Sequence, residues 1–500
     1  MKKYMRIFKL LGVVALLWGC TDAIEIDQPG RLDAEAAFES VADLEAGLFG
    51  VYDDIDTTPE IAFSSIFTDE LSIGFDNGGQ GLADYAFVLN AGSTAPANFW
   101  TRNYIAINSA NRVLEAADLI TPEANEVALL NQVLGETYAL RAFAHFELLS
   151  YFSTDYTDDS ALGVPIVDFV PTIDQELLRN TNAEVFNVIL SDLSQAESLL
   201  GNDTSNPTRI NVDFITAMRA RIAAYRGDYA SAASLSQTLL DKYPLANRAQ
   251  YEGVFLDTDN TEIIFKLERT NNDTYDLQGT TGSPTAGGWA GARFAFVDAT
   301  LAGSPYFEMG RSLFNLMDPA DIRYDVIVAP TSIIDPDYSI NNDPAQDILV
   351  IQKYSGSEGQ PLMNDLKIFR ASEMLLIRAE AYADAGQFNG PSNSTAALLK
   401  QLRDARFGSD TPLLNFASQA DAFGAILDER RVELAYEGHR YKDLKRLGTR
   451  GNRGVNKDAI DCAINGACTL DASDYRFTLP LPIVEFNANP GLRDQQNPGY

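Results

Sequence analysis

From Glu136 to Phe152 the apolar residues Ala139, Ala142, Phe143, Phe146 and Leu149 recur every three or four positions, the stripe of a helix buried on one face. The same period runs through residues 35–55, 98–118, 183–200, 212–226, 229–243, 370–386, 394–407 and 418–446, so the chain is predicted to be mostly α. Between about 246 and 365 the pattern changes. Short β-like runs such as Glu262–Leu267 and Asp347–Gln352 alternate with Gly, Pro, Asn and Asp, and residues 69–98 are similarly irregular. Long loops in a compact helical protein usually form functional surface, so a site is expected in these two stretches.

The helices come in pairs. Ala220, Ala232 and Pro244 fall at twelve-residue intervals around the turn Gly227-Asp228-Tyr229. This is tetratricopeptide spacing, in which small residues let two helices approach and a proline ends the second. Ala379, Tyr382 and Gly386 repeat the first half of the pattern before it breaks. The expected fold is a tetratricopeptide-like helix-pair scaffold carrying an irregular, loop-rich lobe with short β-strands. The pairs are read as scaffold rather than as a peptide groove.

Composition narrows the function. With 46% hydrophobic residues, 27 Phe and 21 Tyr in 500 residues, the chain can bury a large core. Its 70 acidic against 38 basic residues give a net charge of -32, which opposes a phosphate backbone and excludes nucleic acid as the expected partner. Neutral sugars and peptides remain open.

The first residues read as an address. Lys2, Lys3 and Arg6 precede the apolar run Leu10–Trp18, too short to span a bilayer and suited to a signal peptide. The run ends Leu16-Leu17-Trp18-Gly19-Cys20, which resembles a bacterial lipobox and implies cleavage before Cys20 and lipidation of its thiol. The acidic stretch Thr21–Asp27 resembles the surface-export signal of lipoproteins in Bacteroidetes-type bacteria. The expected organisation is a signal peptide over 1–19, an acidic tether over 20–34 and a single domain over 35–500, with the loop-rich lobe at about 246–365. The remaining cysteines, Cys462 and Cys468, flank a segment that Asn465-Gly466 can turn, and in an oxidising compartment they read as one local disulfide.

Catalytic signatures are missing. The sequence holds no Gly-x-Ser-x-Gly elbow, zinc-binding His-Glu-x-x-His, phosphate loop or dinucleotide fingerprint. His145 and His439 both lie in helical stretches and are read as structural. The chain is expected not to be an enzyme and to need no cofactor. The run Asp257-Thr-Asp259-Asn-Thr-Glu262 carries oxygen ligands suited to a structural Ca²⁺, but it lacks the glycine and spacing of a known loop and is read first as a solvated acidic turn.

Three stretches together resemble the SusD/RagB family of surface nutrient-binding lipoproteins. They are Trp100-Thr-Arg-Asn-Tyr-Ile-Ala-Ile-Asn-Ser-Ala-Asn111 with Gly135–Leu149 and Gly163-Val-Pro165; Phe369–Tyr382; and Glu429–Arg446 with the ending Pro480–Ile483 through Gln496–Tyr500. The resemblance implies a role as lid on a SusC-like TonB-dependent transporter of the outer membrane, facing the cell exterior and capturing glycans. RagB-like members imply the alternative of oligopeptide capture, and a surface glycosidase using a carboxylate pair is a further reading. Within the motifs, Glu429, Arg430, Glu433, Glu437 and Arg440 are expected to form ion pairs that hold helices together, and Trp100 to lie in the core.

The family varies its ligand contacts in loops. Here the expected ligand residues are Trp289, Tyr275, Arg293 and Phe296, together with Asp76, Asn77, Asp84 and Tyr85. The C–H face of a sugar packs on an aromatic plane while amides, carboxylates and Arg bond its hydroxyls. Gly287, Gly288 and Gly291 would leave the Trp289 ring uncovered, and the equal alternative is a Trp tucked under a flexible loop.

Overall fold

The computed structural model describes residues 37–74, 77–172, 175–270, 289–291, 305–343 and 345–500. Among them the periodic segments form helices α1 (Val41–Asp54), α3 (Thr94–Ala117), α4 (Val127–Phe152), α5 (Asn182–Leu199), α6 (Val212–Tyr225), α7 (Tyr229–Leu240), α8 (Ala371–Asp384), α9 (Thr395–Phe407), α10 (Gln419–Glu433) and α11 (Arg440–Leu447), and α2 (Thr58–Phe67) is a further helix outside the periodic stretches. Most starts are set by a polar side chain that accepts the orphan amides of the first turn. Ser40 accepts from Asp43 N, Asn211 from Asp213 N and Phe214 N, and Thr181 forms a reciprocal box with Glu184.

The tetratricopeptide spacing is realised in three dimensions. Ala220 and Ala232 are wholly buried where α6 meets α7, and Gly227 makes the turn between them at φ 76°. Helix α7 then packs on α8, although the lobe separates them in sequence, and α8 packs on α9 and α10. The helix pairs therefore stack as neighbours, with the intervening chain looped out. Trp100 is 2% exposed and meets Phe152 edge to face at 5.0 Å, a core position.

Short antiparallel ribbons interrupt the helices. Strand β1 (Leu71–Ile73) pairs with β3 (Phe307–Met309), matching Leu71 with Met309, Ser72 with Glu308 and Ile73 with Phe307. Strand β2 (Ile263–Leu267) pairs with β4 (Leu366–Arg370) through an irregular register, and Phe214 packs on both Phe265 and Phe369. The run Asp347–Gln352 does not become the expected strand. It is held by isolated bridges from Ile348 to Ile333 and from Ile351 to Val328, because no neighbouring segment runs beside it for long enough.

The stretch 418–446 also departs from a single helix. Tyr436 at φ 61° and Gly438 at φ 80° divide α10 from α11. The Tyr436 hydroxyl donates to Glu70 O at 3.1 Å, and Gly438 passes so close to Ile61 that an added Cβ would sit 3.3 Å from its side chain. Tertiary contacts outweigh the helical pattern here.

Motif charges pair mainly between elements, although Arg446 also pairs with Asp443 along α11. Arg370 reaches Glu262, Glu433 and Glu437, and Arg406 reaches Glu262 and Glu433. Arg323 joins Glu429, Arg430 joins Glu380 and Asp443, and Arg440 joins Asp69. Nearly all of these side chains are fully buried, so each charge depends on its partner to offset desolvation.

Candidate functional site

Residues 69–98 and 305–309 meet at the β1–β3 ribbon, which borders two clefts, Ser72, Ile73, Glu308 and Met309 lining one and Phe307 the other. Alternation along a strand sends Phe307 and Glu308 to opposite sides. On the first side a cleft of about 400 Å³ is lined by Ser72, Glu308, Asp347, Leu349, Asp461 and Ile464. Its lining offers carboxylates and a hydroxyl over apolar walls and includes no Lys or Arg. Asp347 accepts from Arg311 Nη1 at 2.7 Å, and Asp461 Oδ2 accepts from Arg311 N at 2.8 Å. Burial pushes the Asp461 carboxyl up to about 7, so it holds a proton well into the range where an exposed aspartate has lost it.

On the other side a cleft of about 190 Å³ has Phe63, Phe99 and Phe307 among its lining, with Thr94, Asn98, Gln80 and Asp84 as polar groups. Burial pushes Asp84 up to about 6. Gly81, at φ 66°, lets the loop turn against the Phe307 ring, which an added Cβ would approach to 3.0 Å. Apolar rings beneath amides, a hydroxyl and a carboxylate can hold a molecule with both C–H faces and hydroxyls.

The disulfide loop forms part of the first cleft's wall. Cys462 and Cys468 are joined at S–S 1.95 Å, and Asp461, Ala463 and Ile464 beside or within the loop face the cleft. Beneath it, the Tyr85 hydroxyl donates to Asp461 O at 2.9 Å, and Lys457 Nζ lies 3.4 Å from the centre of the Tyr85 ring.

The expected ligand residues are distributed differently. Tyr85 is completely buried, so it supports the cleft from below and offers no face to a ligand. Asn77 is also buried, its amide donating to Tyr306 O at 2.8 Å. Trp289 is 6% exposed and its indole N–H donates to Thr270 O at 3.3 Å, which corrects the expectation of an open ring. Gly291 serves close packing, since an added Cβ would lie 2.2 Å from Tyr354 O. Tyr275, Arg293, Phe296, Asp76, Gly287, Gly288 and Cys20 lie outside the described residues.

Phe307, Glu308, Asp347 and Asp461 were not singled out by the sequence. Phe307, Glu308 and Asp347 fall within the loop-rich stretch 246–365, where a site was expected, and Asp461 adjoins Cys462, but no pattern marked these individual residues.

The expected Ca²⁺ ligands are otherwise engaged. Asp257 pairs with Lys367 at 2.6 Å, Asp259 accepts from Thr261 N, and Glu262 pairs with Arg370 and Arg406. Among the described residues no cluster of His, Cys, Asp or Glu could hold a metal ion. His145 is buried against Arg141 O and Val167 N, and burial holds it down at about 4.

Two family models match the chain: the SusD family over residues 344–500, and the family described as starch-binding associating with outer membrane over residues 32–223. SusD-like protein P2 of Formosa agariphila is 25% identical, with both chains covered in full. A SusD superfamily protein of Bacteroides thetaiotaomicron superposes with a TM-score of 0.73 at 22% identity, covering 92% of this chain and 100% of that one. A laminarin-binding SusD-like protein superposes with a TM-score of 0.67 at 21% identity, covering 93% and 100%. Motifs, helix stacking and these matches agree over residues 32–223 and 344–500, and the chain belongs to the SusD/RagB family.

Proposed function

We propose that the protein is a surface lipoprotein, anchored through Cys20 in the outer membrane, that captures oligo- or polysaccharide and delivers it to a SusC-like TonB-dependent transporter. The observation that carries the capture role is the pair of clefts on the β1–β3 ribbon. Phe63, Phe99 and Phe307, themselves largely buried, form the apolar floor of the smaller cleft, and Asn98, Asp84, Glu308 and Asp347 supply acceptors for hydroxyls along the two clefts. The names of relatives that bind glycans support the same reading, as does the outer-membrane association in the description of a matching family. The lipobox-like end of the apolar run supports the anchor. Binding without chemical conversion is the role assigned, and among the described residues no helix is long and apolar enough to cross a membrane.

The test is calorimetry on the chain from Thr21 onward with neutral and acidic polysaccharides and a peptide mixture. Heat from a glycan is expected, and Phe307→Ala should weaken that affinity about tenfold, roughly 1.4 kcal/mol. Undiminished affinity in a folded Phe307→Ala protein would remove the ribbon from the site. Heat from peptides alone would move the protein to the peptide-capturing branch.

A further inference from the structure

Behind α2, on a side separate from both clefts, a small polar chamber lies where α2, α4, α6, β4 and the α10–α11 connection converge. Three buried side-chain atoms that find no hydrogen-bond partner in the protein belong to residues lining it: Thr57 Oγ1, Glu60 Oε2 and His439 Nδ1. Glu60 is 3% and His439 7% exposed. An unmet donor or acceptor at such depth is costly, and convergence of several on one space points to a guest that satisfies them together.

The charges around the chamber decide what the guest is. Glu147 is paired with Lys442, Arg221 with Glu373, Lys367 with Asp257, and Glu437 with Arg370 and Lys353. Asp56, which faces Glu60 from the α1–α2 connection, is paired with Arg102 and Arg269. Every lining charge is therefore matched, and the unmet groups are a hydroxyl, an imidazole nitrogen and a carboxyl.

A metal cation would find no uncommitted carboxylate pair, and an anion would face Glu147 and Glu437. The chamber offers about 30 Å³ to the centre of a water molecule, too little for a sugar and enough for one or two waters. Water, with two donors and two acceptors, fits all three groups at once.

We propose that this chamber is a structural water site in which an ordered water bonds Thr57 Oγ1, Glu60 Oε2 and His439 Nδ1 and ties α2 to the α10–α11 connection. The same helix α2 presents Ala62 and Phe63 to the aromatic cleft, so the water braces that cleft's floor from behind. The Tyr151 hydroxyl of α4, fully buried and also without a partner, feels the charges of Glu147 and Glu60.

The site also holds a proton. Burial first, then the charges of Asp56 and Glu147, push the Glu60 carboxyl up to about 8, while burial and the cations Arg221, Arg430, Lys442 and Arg370 keep His439 well below its ordinary range. Both shifts favour the neutral forms near pH 7. Because unfolded Glu60 ionises near 4.3, its contribution to stability is complete below that pH and is lost as pH rises through about 8.

The test is a high-resolution crystal structure of the chain from Thr21 onward, which contains every described residue, at pH 6, with Glu60→Gln and Thr57→Val as variants. We expect density for water within hydrogen-bond reach of all three atoms, retained in Glu60→Gln, whose amide keeps the shape, and displaced or lost in Thr57→Val. The fall in melting temperature between pH 5 and pH 8 should be smaller in Glu60→Gln, by about 1–3 °C. A dry chamber with Glu60 and His439 turned into direct contact would overturn the proposal, as would a metal ion identified by anomalous scattering. Should Glu60→Gln fail to fold, the wild-type and Thr57→Val structures still decide.

Discussion

Asp461 and His145 show how burial sets the pH response one side chain at a time. Asp461 ionises near 3.9 in the unfolded chain and near 7 in the fold, so its stabilising contribution is complete below about 3.9 and lost as pH rises through 7. His145 has the opposite sign. Its folded value of about 4 lies below the ordinary 6.5, so its contribution is complete above 6.5 and lost as pH falls through 4. Asp461→Asn should therefore reduce the loss of stability between pH 5 and pH 8 by roughly 1–3 kcal/mol, read from urea melts at both pH values. An unchanged difference would mean that Asp461 is ionised in the fold at pH 5.

The residue scale also marks the limit of pattern reading. Tyr85 and Trp289 were attractive as sugar platforms because each lies in an irregular stretch, yet both rings are buried. Hydrophobic type says that a ring can be covered or can cover a ligand, and only the neighbours decide which.

Among elements, the buried ion pairs define what the motif charges of α10 and its partners do. Arg406 has no exposed surface and holds Glu262 and Glu433 together across β2, α9 and α10. Arg406→Ala leaves two buried carboxylates short of a partner and should destabilise by about 3–5 kcal/mol in chemical denaturation. Arg403 pairs with Glu429 from a position with 29% of its side chain exposed, and Arg403→Ala should cost about 1 kcal/mol or less. Equal losses in the two variants would show that burial is not what gives the network its weight.

The break between α10 and α11 belongs to this scale too. Gly438 adopts φ 80°, so Gly438→Ala should cost about 1 kcal/mol or more from backbone strain, measured in the same experiment. An apolar period of 3.6 continued through the break because Leu434, Ala435 and Tyr441 are core residues in either case. Periodicity reports burial and is silent about a change of chain direction between two buried segments.

For the whole molecule, the disulfide and the stacked helix pairs act at different ranges. The Cys462–Cys468 bond closes a short loop and should stabilise the chain by only about 2 kcal/mol. That loop is nevertheless a wall of the larger cleft, so reduction by dithiothreitol is expected to lower glycan affinity more than it lowers the melting temperature. A parallel fall in both, or no change in affinity, would detach the loop from the site. The helix stack should be far less sensitive to reduction, since within the loop only the partly buried Ala467 packs against the main core.

The sequence by itself determined the helical class, the twelve-residue spacing of a helix pair, the leader-like beginning, the pairing of Cys462 with Cys468 as the simplest reading, and the SusD/RagB motifs. These are local properties: periodicity, turn residues and spacing are written in neighbouring positions. Tertiary structure decided that α7 stacks on α8 across the lobe, that motif charges pair between elements, and that Phe307 and Glu308 divide two clefts while Trp289 and Tyr85 are covered. The reason is physical. A cleft is made by side chains distant in sequence, such as Ser72, Glu308 and Asp461, whose only relation is that folding brings them to one surface.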